Sequence, residues 1–331
     1  MPVVQRIELG YNNVYVAQAG GGRIMIDTGP DYRGASERLR GELRALPDII
    51  VATHGHLDHA GLGRYWQDKG VPVAMAAADL HLTSAPQLAS PGEFSAFVYY
   101  VRRSGAPEDV QVQVISGLEM RRQWALAAAR PGHEYPSMGR DPRWPSGLQY
   151  EHFEPSRIIH DGEWLFGSFE VVLCPGHTPG NLVVVNKEAG WLFSGDQLLP
   201  DITPTPAIQP KPGVIDHQED WRFRSLPAFV AALERLRTMP LTRCYPGHGH
   251  PFDDVQTVIE ANLAQIEQRS DRVLQALANL GCATVYQLCD VLYPRVLRRR
   301  FWQIMATVQG HLDLLEAQAQ VRASGDSYEM R

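Results

Sequence analysis

Apolar positions in the first third of the chain switch between two spacings. Strict alternation in Asn13-Val14-Tyr15-Val16-Ala17 and in Arg23-Ile24-Met25-Ile26, flanking the flexible Gly20-Gly21-Gly22 turn, predicts a hairpin over residues 12–29. A helical pattern follows through Ser36-Glu37-Arg38-Leu39-Arg40, and the unbroken apolar run Asp48-Ile49-Ile50-Val51-Ala52 reads as a buried strand. Residues 63–67 read as helix, Gly70 ends it, and Pro72-Val73-Ala74-Met75-Ala76 is another strand. Such alternation predicts layered α/β packing. Strand spacing returns at 157–160, 169–173, 182–185 and 191–193, followed by a helix from a Ser225 cap to Arg237 and a last strand, Arg243-Cys244-Tyr245. The segment 198–211, rich in proline, reads as a loop at the sheet edge.

Two regions depart from this pattern. Residues 94–103 predict a helix with an aromatic face and 118–130 a second one, before an irregular Pro- and Gly-containing stretch over 131–145. More than a hundred residues separate His59 from His177, so about 80–150 reads as an insertion placed over whatever site the core builds; the alternative is that its aromatics fill a small core of their own. Past Pro251 the strands stop in this reading. Asp253 or Asp254 caps a long helix whose stripe is Val255, Ile259, Leu263, Ile266, Val273, Leu277 and Leu280. Shorter helices are expected over 284–292 and 297–315, and a frayed tail over 323–331. The expected division is a catalytic domain over 1–250 and a helical domain over 251–331.

With 331 residues and 44% apolar content, the chain is long enough for one large core plus a small one. Its first residues lack a basic stretch followed by an apolar one, and no segment has the length of a bilayer span, which predicts a cytoplasmic protein. The net charge of −6 argues against a nucleic-acid partner. Four cysteines without a CxxC spacing read as buried free thiols.

The chemistry concentrates in Thr53-His54-Gly55-His56-Leu57-Asp58-His59-Ala60-Gly61, directly behind the buried strand. Side chains alternate along extended backbone, so His54 and His56 point to one side, while Asp58 and His59 swing to a neighbouring point as the chain turns. One loop therefore offers donors for two metal ions, and imidazole and carboxylate are ligands that zinc, iron or manganese accept. A polar surface loop of hydrogen-bonded histidines is the competing explanation.

His-x-His-x-Asp-His resembles the signature of the metallo-β-lactamase superfamily, a group of mostly hydrolytic metal-dependent enzymes. Ile26-Asp27-Thr28-Gly29 resembles its first motif, whose Asp supports the metal loop from behind. Cys174-Pro175-Gly176-His177-Thr178-Pro179-Gly180-Asn181, Phe193-Ser194-Gly195-Asp196 and Tyr245-Pro246-Gly247-His248-Gly249 resemble the third, fourth and fifth, in the family's order. The resemblance implies an αββα sandwich with a helical insertion, and the tail resembles a small, mostly α, winged-helix-like domain found in lactamase-like endoribonucleases and thioesterase-like hydrolases. It also implies a ligand set. His54, His56 and His177 would hold one metal, Asp58, His59 and His248 the other, and Asp196 would bridge them; two Zn²⁺ fit the donors, with iron or manganese allowed. Neither His250 nor His152, His160 and His217 fits a motif position.

The implied reaction is hydrolysis of a small ester, thioester or lactone by a metal-bridging hydroxide that Asp58 orients. True β-lactamases are disfavoured because they are exported and typically lack an Asp at the position of Asp196. The competing readings are an endoribonuclease, for which the only support is the run Arg295, Arg298, Arg299, Arg300, and an iron-dependent oxidoreductase on the same fold. The expected partner is a small acyl substrate, with neither nucleic acid nor membrane, and a homodimer is possible.

Overall fold

The computed structural model describes residues 3–84, 88, 90–128, 147–202, 206–213 and 221–331. The first sheet is built from β1 (Val3–Leu9), β2 (Asn12–Ala19), β3 (Gly22–Ile26), β4 (Ile49–Val51), β5 (Val73–Met75) and β6 (Arg157–Ile158), in that order. Its first three strands are antiparallel, and β3 to β6 run parallel, joined by crossovers. Those crossovers carry α1 (Ala35–Glu42), α2 (Leu57–Ala60), α3 (Gly63–Asp68), α4 (Leu80–Ser84), α5 (Pro91–Arg103) and α6 (Glu108–Ala128). The second sheet orders β7 (Trp164–Leu165), β8 (Phe169–Leu173), β9 (Leu182–Asn186), β10 (Trp191–Gly195) and β11 (Arg243–Pro246) with β11 and β7 at its edges; α7 (Ser225–Arg237) precedes β11.

The two-residue period of the strands decides which layer each side chain enters. Tyr15, Ile24, Ile26, Ile49, Val51 and Ala74 meet Phe169, Val171, Val184, Phe193 and Tyr245 in one buried cluster between the sheets. Their alternates Val14, Val16, Met25, Ile50 and Val73 face Leu39 of α1 and Trp66 of α3. Val172, Val183, Val185 and Leu192 face Phe229, Leu233 and Leu236 of α7 and Val255, Ile259 and Ile266 of the following helix. The result is helix, sheet, sheet, helix. Each fully buried aliphatic side chain in these layers stabilises the fold by roughly 1.5–3 kcal/mol.

After β11 come α8 (Val255–Leu280), β12 (Cys282–Thr284), α9 (Val285–Leu292), α10 (Phe301–Ala317), β13 (Val321–Ser324) and β14 (Ser327–Met330). The expectation that strands stop past Pro251 fails here: β12, β14 and β13 form a three-stranded sheet, and the segment expected to fray is its central strand and hairpin. Thr284 and Gln287 close a capping box on α9. Two caps differ from expectation. Ser225 lies inside α7, where its Oγ donates to the Ala207 carbonyl; Asp254 sits at the start of α8 without a side-chain cap bond, and Asp253 pairs with Arg243 at 2.6 Å.

Helix α6 starts ten residues before the predicted 118, at Glu108, and the irregular stretch 131–145 lies outside the described residues. The aromatics of α5 do not form a core of their own. Tyr100, Val101 and Leu118 are buried together with Trp221, Leu277, Leu288, Phe301 and Met305, so insertion and C-terminal helices share one apolar cluster. No helix of the described residues is long and apolar enough to cross a membrane. Three of the cysteines are buried, but Cys282 is exposed, since its position on the short edge strand β12 turns it outward.

Candidate metal centre

Four segments, each following the same end of a strand, converge: those after β4, β8 and β10, and the one after β11, which carries His248. The first follows β4, and its carboxylate support comes from the loop after β3. Asp27, at φ 65°, sits in the left-handed region and turns its carboxylate under the loop. Its Oδ1 accepts from the Thr53 amide (2.7 Å) and the Thr53 hydroxyl (2.8 Å), and its Oδ2 from His59 Nδ1 (2.8 Å). Trp66 Nε1 anchors the same turn by donating to the Thr28 carbonyl.

These bonds fix tautomers. With Nδ1–H given to Asp27, His59 turns its Nε2 into the site, towards Asp196. The single proton of the Thr53 hydroxyl goes to Asp27, so Thr53 Oγ accepts from His54 Nδ1 at 3.1 Å, and His54 also presents Nε2. His248 Nδ1 donates to the Tyr11 carbonyl at 3.0 Å, with the Tyr11 ring stacked 4.2 Å away, leaving Nε2 inward.

The second loop, after β8, brings His177. The third element is the end of β10, where the register against β11 shifts between Phe193 and Gly195. Gly195 has φ 49°, and a Cβ there would lie 2.5 Å from Thr53 Oγ; only glycine lets the strand turn Asp196 inward so close to the first loop.

All seven sequence-predicted residues come together, in three groups whose ligand atoms lie within 4.8 Å of one another: His54, His56 and His177; Asp58, His59 and His248; and His54, His59 and Asp196. His56 Nδ1 is 3.1 Å from His54 Nε2 and 3.0 Å from His177 Nε2. Asp196 lies between the first two groups, with Oδ2 3.4 Å from His177 Nε2 and Oδ1 3.3 Å from both His59 Nε2 and His248 Nε2. Asp58 Oδ2 is 3.4 Å from His248 Nε2.

The two triads differ electrically. Burial, and then the neighbouring imidazoles, hold His54 well below the usual histidine range, and burial lowers His177 to about 4. Burial also lowers His56. On the other side burial is outweighed: Asp196 and then Asp58 raise His248 to about 9, and Asp196, Asp27 and Asp58 raise His59. Burial pushes the Asp58 and Asp196 carboxyls up, but the facing His59 and His248 prevail and lower both.

The donors fit divalent cations. Nitrogens about 2.0–2.1 Å from a tetrahedral zinc stand about 3.3 Å apart, close to the separations seen here. Asp196 Oδ1 and His177 Nδ1 are buried without a hydrogen-bond partner among the described residues, and an orphaned carboxylate oxygen between imidazoles is what a cation satisfies.

Of the histidines set aside on sequence, His250 contacts Arg6, His152 Nδ1 donates to the Thr83 carbonyl, His160 is exposed, and His217 lies outside the described residues. Sequence reasoning missed Thr53 as the relay between Asp27 and His54, Tyr11 behind His248, and Gln209, whose Nε2 donates to the His177 carbonyl at 3.3 Å. It also missed Asp79, whose only signal was a carboxylate in the apolar run after β5.

The family model for the Metallo-beta-lactamase superfamily matches residues 7–248. The chain belongs to this superfamily. It is similar to the probable metallo-hydrolase YqjP of Bacillus subtilis, 27% identical over 315 residues that cover 92% of this chain and 88% of that protein. It is also similar to an atrochrysone carboxyl ACP thioesterase of Aspergillus fumigatus, 22% identical over 88% of this chain and 71% of the relative. Among solved structures, a metallo-beta-lactamase family protein from Thermus thermophilus superposes with a TM-score of 0.63 at 23% identity, over 100% of this chain and 98% of that one. A beta-lactamase domain protein from Burkholderia ambifaria gives 0.68 at 19% identity, covering 100% and 92%. Both structures share the fold across the full chain, C-terminal region included.

Proposed function

We propose that this member of the superfamily is a binuclear metal-dependent hydrolase of a small ester, thioester or lactone, with zinc as the cation the donor set suits best. The observation that carries the reading is the pair of adjoining residue triads with the orphaned Asp196 Oδ1 between them. The acyl class draws support from the relative named as a thioesterase.

When bound, two divalent cations supply a water that ionises near neutral pH and a Lewis acid for the substrate carbonyl. The chain's own residues position and ionise. Asp196 reaches both triads with separate oxygens, which sets the spacing of whatever they hold. Asp58, kept ionised by His59 and His248, is a hydrogen-bond acceptor that would orient the attacking water. His54 and His59 are fully buried, whereas His56 and His177 are partly exposed, so substrate arrives across the His56 and His177 side. There the leaving thiolate or alkoxide departs to solvent.

A panel of acyl-CoA, acyl-glutathione, lactone and RNA substrates on metal-replete protein tests the proposal. Hydrolysis of one of the first three classes, abolished by chelation and restored by zinc, is expected. Turnover confined to RNA, or oxygen consumption by an iron-loaded protein without any acyl hydrolysis, would displace it.

A further inference from the structure

Asp79 is fully buried and follows β5, outside all five motifs, yet it joins two of the ligand-bearing loops. Its Oδ2 accepts from the Gly55 amide, between His54 and His56, at 3.0 Å, and from the Thr178 hydroxyl at 2.6 Å. Its Oδ1 accepts from the Gly180 amide at 2.6 Å. Thr178 and Gly180 belong to the turn that carries His177. All three donors are neutral, and burial raises the Asp79 carboxyl despite them. The backbone is shaped around it: a Cβ at residue 180 would lie 2.7 Å from both the amide nitrogen and Oδ1 of Asp79. Besides the bond from the Leu182 amide to the Thr53 carbonyl (2.9 Å), this buried carboxylate is what ties the two loops together, and three donors converging on it from both loops point to a geometric task.

We propose that Asp79 is a positioning residue that holds the His54/His56 loop and the His177 loop at one separation and so sets the cation affinity of the three-histidine triad. This rests on the reading of the site as a metal centre. Asp79 plays for that triad the part Asp27 plays for His59, but through the main chain instead of an imidazole. Removing partners that orient metal ligands typically weakens cation affinity about 10- to 100-fold.

The test is titration of metal-free protein with Co²⁺ against a chromophoric chelator, recording the cobalt absorption spectrum. Asp79→Asn keeps the size but opposes amide donors with its own NH₂; Thr178→Val removes one donor and serves should Asp79→Asn fail to fold. Each is made in wild type and in two backgrounds, His248→Ala, which isolates the three-histidine triad, and His177→Ala, which disables it. Expected is a 10- to 100-fold loss in the His248→Ala background, smaller for Thr178→Val, with a shifted spectrum, and no change in the His177→Ala background. Equal weakening in both backgrounds, or unchanged affinity in both with two ions bound by wild type, overturns the proposal alone. A wild-type chain that takes up no cation overturns the metal-centre reading, and this proposal with it.

Discussion

At the scale of single residues, Asp196 tests the site most sharply. It touches both triads but contributes no apolar surface to the sheet core, so Asp196→Ala should lower kcat/KM by about a hundredfold or more, since even outer partners of metal ligands are worth 10–100-fold, while the circular dichroism spectrum stays unchanged. Wild-type turnover in that variant would refute its place between the triads. The seven clustered positions were legible in the sequence because each sits in a short motif at a strand end, where a few neighbouring residues set its direction. Asp79, Thr53 and Tyr11 were not. Their partners lie far along the chain, as Asp79 with Gly180 and Tyr11 with His248, and only the converged fold brings such pairs together.

At the scale of elements, the stripe on α8 was read correctly and its surroundings only in part. Val255, Ile259 and Ile266 pack on the second sheet and α7, whereas Val273 and Leu277 join the insertion's cluster; Leu280, at the helix end, is exposed. The last hairpin was missed because its strands are four residues long and show no alternation of buried and exposed positions, so pairing with each other and with β12, and not periodicity, makes them strands. Between α8 and α10, the Ser270 hydroxyl meets His311 Nδ1 at 2.8 Å, and burial lowers this imidazole to about 4. The unfolded chain protonates the same histidine near 6.5, so between pH 6.5 and 4 it binds a proton that the native state does not. Stability contributed by the neutral histidine is thus complete above that window and lost as the pH falls through it, by up to about 3 kcal/mol. His311→Gln should flatten the acid side of a urea-denaturation profile over that range; an unchanged slope would show that His311 does not carry it.

At the scale of the whole molecule, the two expected domains share their cores. A fragment of residues 1–250 would lose Val255, Ile259, Ile266 and Leu314 from the outer face of the second sheet. At roughly 1.5–3 kcal/mol each, that loss rivals the total stability of a typical domain, about 5–15 kcal/mol. The fragment should therefore be aggregated or unfolded by size-exclusion chromatography and circular dichroism; a monodisperse, native-like fragment would restore an independent catalytic domain. Charge bears on partners at this scale as well. In the C-terminal region, Arg322 pairs with Glu329, and Arg298 lies 3.4 Å from Asp109 of α6, leaving little net charge to neutralise phosphate. RNA titrated at low salt should bind weakly; tight, steeply salt-sensitive binding that vanishes on replacing Arg298, Arg299 and Arg300 would favour the nuclease reading instead.

The central claim is that the paired triads make a binuclear centre, and metal stoichiometry addresses it most directly. Protein purified without chelator, then supplied with zinc and desalted, should carry two ions per chain by elemental analysis, falling towards one in His248→Ala. A stable stoichiometry of one in wild type, unchanged by supplying zinc or iron, would contradict the account.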